Sequence, residues 1–162
     1  MLGLDVSRAT ARRDLGGGLL LAAVIGVPGL GLYLAARAAG VNATVVAAGL
    51  PDEWWQIPVL VLSAGQNAVL EEVVVVGYLL TRLGDLGWSP RRALAASAVL
   101  RGSYHLYQGL GGFVGNLLMG VLFAALYQRY RRVLPLVVAH AVLDIAAFVG
   151  YAALRGKVGW LP

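Results

Sequence analysis

The chain has 162 residues, of which 59% are hydrophobic and only 13% charged, and its mean hydropathy is +0.76. Soluble domains carry about a quarter charged residues, so this composition excludes an ordinary soluble domain and points to lipid as the solvent. The absence of cysteine removes disulfides, thiolate metal sites and a cysteine nucleophile, so any metal would be held by His and carboxylates. Twelve Arg against one Lys, with Ala, Gly, Val and Leu dominant, is the usage expected of a GC-rich bacterial genome.

Stretches of about 20 apolar residues predict five membrane spans, 16–36, 57–81, 91–108, 112–129 and 135–153. The expectation is an all-α, polytopic membrane helix bundle of about five transmembrane helices, forming a single membrane domain over 1–162. Span 1 holds Gly26, Pro28, Gly29 and Gly31, tolerable in lipid, with a kink expected at its centre. Trp54-Trp55, beside Asp52 and Glu53, reads as an interfacial anchor for span 2. Span 2 contains Ser63, Gln66, Asn67, Glu71 and Glu72, so its middle is expected to face other helices. Spans 3 and 4 are joined through Gly109, Leu110, Gly111 and Gly112, a tight helical hairpin.

Arginine and lysine set orientation. Arg8, Arg12, Arg13, Arg82, Arg91, Arg92, Arg129, Arg131 and Arg132 fall on one side, and Arg37, Arg155 and Lys157 on the other. The count predicts a bacterial cytoplasmic-membrane protein with its amino terminus in the cytoplasm. It also assigns the net charge of +5 to topology. These arginines are spread over separate loops, so no nucleic-acid partner is expected. Arg12-Arg13 resembles a twin-arginine export signal, but the long apolar run without a small-residue cleavage site favours an uncleaved first helix.

Of eight acidic residues, Asp5, Asp14, Asp52, Glu53 and Asp85 lie in tails or loops, whereas Glu71, Glu72 and Asp144 lie within spans. His105, His140 and Arg101 are also intramembrane. Each such group costs at least about 2–3 kcal/mol at the bilayer centre unless paired or hydrated, so six together call for a function. Counted at about 1.5 Å per residue from the cytoplasmic ends, Glu71, Arg101 and Asp144 lie about 15 Å deep, His105 about 21 Å and His140 about 8 Å. Arg101 with His105, His140 with Asp144, and Asn67 with Glu71 are i,i+4 pairs that share helix faces. Glu71 and Glu72 diverge by about 100°, so one is free for chemistry while the other takes a structural partner, and Arg101 is the matching cation. Ser97, Gln108 and Asn116 read as interhelical hydrogen bonders, the glycines as packing positions, and Tyr104, Tyr107 and Phe113 as packing at the outer end.

Three ordered motifs carry a resemblance: Glu71-Glu72 followed by Gly77-Tyr78, Tyr104-His105, and His140 with Asp144 four residues on. Over 57–153 the chain resembles the CPBP family, the CAAX-prenyl-protease-like, bacteriocin-processing and abortive-infection intramembrane proteins. The family's motifs are E-E-x-x-x-R, F-x-x-x-H and H-x-x-x-N or D. Here Val76 stands at the motif arginine and Arg101 at the motif phenylalanine, so Arg101 is expected to supply the missing guanidinium. The resemblance implies an endopeptidase that hydrolyses membrane-associated protein or peptide substrates. Glu71 would activate water with His105 as its partner, and Glu72 would be a supporting carboxylate. His140 and Asp144 would lie near the oxyanion, although Asp donates there only when protonated. No cofactor is expected; the competing metalloprotease reading, with Zn²⁺ on a His/Glu/His/Asp set, lacks an H-E-x-x-H motif.

Two other readings compete. A proteolytically silent membrane adaptor or self-immunity protein would keep the fold without turnover, which the missing motif arginine favours. A proton or metal transporter would also use intramembrane carboxylates and histidines, but no inverted repeat is visible. The expected partners are membrane lipid and a protein or peptide substrate. The chain is short for the family, which leaves room for a truncated start or for assembly with another copy.

Overall fold

A computed structural model describes residues 3–4, 7–42, 53–154 and 157. Asp5 and Asp52, read as tail and loop acids, and Arg155, counted in the orientation, lie outside the described residues. The elements are helical: α1 (Arg8–Ala38), α2 (Gln56–Leu70), a π-helical segment (Glu71–Tyr78), α3 (Leu79–Asp85), α4 (Pro90–Tyr104), a 3-10 turn (Leu106–Gln108), α5 (Leu110–Tyr130) and α6 (Leu134–Leu154). The molecule is a polytopic helical bundle. Four of its helices, Arg8–Ala38, Gln56–Asp85, Leu110–Tyr130 and Leu134–Leu154, are long and apolar enough to cross a membrane.

Local chemistry explains the helix ends. Ser7 and Thr10 form a reciprocal capping box at the start of α1, each side chain accepting from the other's backbone N–H. The helix runs without a break through Pro28, where the sequence suggested a kink. Ser89 caps α4, with Pro90 in the first turn, where its missing N–H costs nothing. The span expected over 91–108 is shorter than anticipated: α4 has 15 residues, about 22 Å, and stops at Tyr104. His105 leaves helical geometry and Gly109, at φ 95°, opens α5 from a backbone conformation that side chains disfavour.

Contacts define the helix directions. Gly102 meets Phe113, Gly120 meets Ala98, and Gln128 donates to the Pro90 carbonyl, so α4 and α5 are antiparallel. Gly18 meets Val138 and Gly26 meets Leu143, so α1 and α6 are parallel. A Cβ at Gly18 would stand 2.5 Å from that of Val138, which leaves room for glycine alone. Asp14 accepts two hydrogen bonds from Arg132, tying the start of α1 to the α5–α6 connection. The α3–α4 connection and the end of α5 share a depression lined by Gly84, Trp88, Pro90 and Gln128. The arginine-bearing connections therefore gather at one end of the bundle. At the other, Asn42 pairs with Gly109 and accepts from the Gly112 N–H. The tightest packing surrounds Val76, Phe123, Tyr127, Val133 and Leu136.

Not every polar residue of the second span turns inward. Ser63 is half-buried and Glu72 buried, but Gln66 and Asn67 are exposed, because Ala64 and Ala68 occupy the buried face of α2.

Candidate active site

The site forms where the π-helical segment passes α4, α5 and α6. On an α-helix, Glu71 and Glu72 would diverge by about 100°; the wider i→i+5 turn rotates less per residue, and both carboxylates reach Arg101. The expected divergence is thus corrected by the local helix type. Side chains take up two carbonyls of this wide turn: Ser97 Oγ donates to Val75 O at 2.7 Å, and Thr81 Oγ1 to Gly77 O at 2.7 Å.

Arg101 is at the centre and fully buried. Its Nη1 donates to Glu72 Oε1 at 2.7 Å, its Nη2 lies 3.4 Å from Glu71 Oε2, and its guanidinium lies over the Phe123 ring at 5.3 Å. Gly120 admits it, because a Cβ there would stand 3.0 Å from Ala98 Cα and 3.2 Å from Arg101 Cδ. His140 Nδ1 lies 2.7 Å from Glu72 Oε1 and 3.1 Å from Arg101 Nη2. Arginine can only donate, so these contacts compete for the state of Nδ1. The shorter, charge-assisted one prevails, with Nδ1–H donating to Glu72 and the guanidinium as a neighbouring charge. On the far side of the ring, His140 Nε2 is 3.5 Å from Asp144 Oδ2, too long for a strong hydrogen bond.

The two glutamates have different surroundings. Glu72 is fully buried, with Arg101 and His140 both on Oε1. Glu71 has a side chain 17% exposed, and Tyr104 Oη donates to its Oε2 at 2.7 Å. Tyr104 and Arg101 address the same oxygen, which leaves Oε1 of Glu71 without a protein partner among the described residues.

Of the residues singled out in the sequence, Glu71, Glu72, Arg101, His140 and Asp144 come together. His105 does not join their hydrogen bonds. It caps α4, its Nδ1 donates to the Arg101 carbonyl at 3.0 Å, and its ring lies 4.7 Å from that of Tyr104. The expected i,i+4 pairing of the Arg101 and His105 side chains is replaced by this backbone contact, because the helix has ended. Asn116, expected to close the site, bonds within its own helix to Gly112 O, and Phe123 supplies the α5 wall instead. Tyr104, read as packing, is a hydrogen-bond donor to Glu71. Its only signal in the sequence was a phenol at the depth of the charged layer, which is weak without knowledge of the helix end.

Donor atoms of Glu71, Glu72 and His140 lie within 4.8 Å of one another, near enough to share a cation. The same three side chains already converge on the Arg101 guanidinium, so these residues fit an internal arginine better than a metal ion.

The family model "Type II CAAX prenyl endopeptidase Rce1-like" matches residues 53–146, which run from before α2 into α6 and include every residue of the cluster. No curated protein and no solved structure matches the chain. With its apolar helices and more than half its length matched, the chain belongs to the Rce1-like family of membrane proteases.

Proposed function

We propose that this chain is an intramembrane endopeptidase that uses Glu71 as its general base and hydrolyses membrane-anchored protein or peptide segments. The carrying observation is the division of labour around Arg101: Glu72 is sealed against the guanidinium, whereas Glu71 is partly exposed with Oε1 open. A base must be within hydrogen-bond reach of its water, and Oε1 is the oxygen that can meet it.

In this reading water on Glu71 Oε1 attacks the scissile carbonyl carbon as its proton passes to the carboxylate. The tetrahedral intermediate collapses, the C–N bond breaks, and the departing amine takes the proton back from Glu71. His105, with Nδ1–H committed to the Arg101 carbonyl, offers Nε2 as a second acceptor for the water. A proton held between His140 and Asp144 supplies the hydrogen bond to the developing oxyanion. Arg101 provides fixed positive charge in place of the family's motif arginine, so the reaction needs no metal. The arginine count along the chain orients the amino terminus towards the cytoplasm.

The test is turnover of a membrane-anchored peptide library by purified protein in liposomes, beside Glu71→Gln, with and without chelator. The expected result is cleavage that falls at least about 10²-fold in the variant and survives chelation. Loss on chelation, restored by Zn²⁺, would replace this mechanism with a metal-dependent one. A folded wild type silent towards the whole library would favour the adaptor reading.

A further inference from the structure

We infer that Tyr104 is a positioning residue for Glu71, one that fixes which carboxylate oxygen faces the water. The inference rests on the peptidase reading for its consequence in turnover, but its geometry stands on its own. Tyr104 Oη donates to Glu71 Oε2 at 2.7 Å, the shortest contact Glu71 makes, while Arg101 Nη2 is farther from the same oxygen at 3.4 Å. Two donors on one oxygen hold the carboxylate plane and turn the other oxygen outward.

Exposure separates the two donors. Arg101 is fully buried and holds Glu72 as well, whereas Tyr104 is 36% exposed at the last turn of α4, next to the residue where the helix ends. Its ring also lies 4.7 Å from His105. One side chain thus links the proposed base to its proposed partner, which share no hydrogen bond. A packing tyrosine would not need its hydroxyl; this one spends it on a carboxylate inside an apolar chain, where a charge-assisted bond is strong.

The test is Tyr104→Phe, which keeps the ring and removes only the donor. Turnover in liposomes should lose about 10- to 100-fold in kcat with KM little changed, the value of one hydrogen bond to a charged group. Difference infrared spectra, taken against Glu71→Gln in each background, isolate the Glu71 carboxylate band, which should shift on loss of the phenol. An unshifted band, or kcat equal to wild type, overturns the inference and leaves the peptidase reading intact. A wild type without turnover whose band still shifts removes the peptidase reading and keeps Tyr104 as the group that orients Glu71. If Tyr104→Phe does not accumulate as folded protein, 3-fluorotyrosine at this position puts the same question. The band should then move with the acidity of the phenol, and its failure to do so overturns the inference.

Discussion

The two sides of the Arg101 guanidinium are built from the same residue types and differ in access. On the inner side, Glu72 and His140 are packed out of contact with solvent or lipid, and both bond through one carboxylate oxygen. On the outer side, Glu71 and Asp144 have side chains 17% and 23% exposed, and Tyr104 reaches in from the end of α4. Adjacent glutamates in one sequence therefore acquire different work. A carboxylate sealed against a cation gives the cluster its shape, and one held by a single oxygen keeps the other for a reactant.

Removing the shared cation should have the largest effect. Arg101→Leu leaves Glu72 buried without its counter-charge, and the expected loss is about 3–5 kcal/mol of stability together with turnover, read by thermal unfolding in detergent. A sharper form restores the family's arrangement: Val76→Arg combined with Arg101→Phe moves the guanidinium back to the motif position, one turn beyond Glu72. Recovery of stability and cleavage relative to Arg101→Leu would show that the two positions serve one function. A double variant no better than the single one would show that Arg101 is not a relocated motif arginine.

The cluster was partly legible in the sequence because charge inside lipid is expensive. Glu71, Glu72, Arg101, His140 and Asp144 stood out as groups that apolar spans do not carry without reason, and the four-residue spacing of His140 and Asp144 on α6 survives intact. What was hidden depended on backbone geometry that periodicity does not encode. A run of four valines gives no sign that residues 71–78 widen into a π-helix, so the two glutamates looked divergent. The end of α4 at Tyr104 was equally hidden, and with it the roles of Tyr104 and His105. Asp14 and Arg132 looked like a tail acid and a topological charge; their pairing joins residues 118 apart in sequence, which only the packing of α1 beside α6 brings together.

That pair offers a smaller contrast with the central one. Arg132 Nε donates to Asp14 Oδ1 at 2.8 Å with Nη2 on Oδ2, but the arginine is partly exposed at an end of the bundle. Asp14→Asn should cost about 1–3 kcal/mol in thermal unfolding and leave the turnover of the folded protein at the wild-type level. A loss of turnover in folded Asp14→Asn would show that the helix ends and the cluster are coupled.

The division between the two glutamates is tested most directly by measuring thermal unfolding and turnover together on Glu71→Gln and Glu72→Gln. The account predicts that Glu71→Gln unfolds at nearly the wild-type temperature and does not cleave, whereas Glu72→Gln is destabilised by about 3–5 kcal/mol, as expected when one partner of a buried ion pair is removed. Equal unfolding temperatures for the two variants, or cleavage that survives Glu71→Gln and is lost in a stably folded Glu72→Gln, would contradict it.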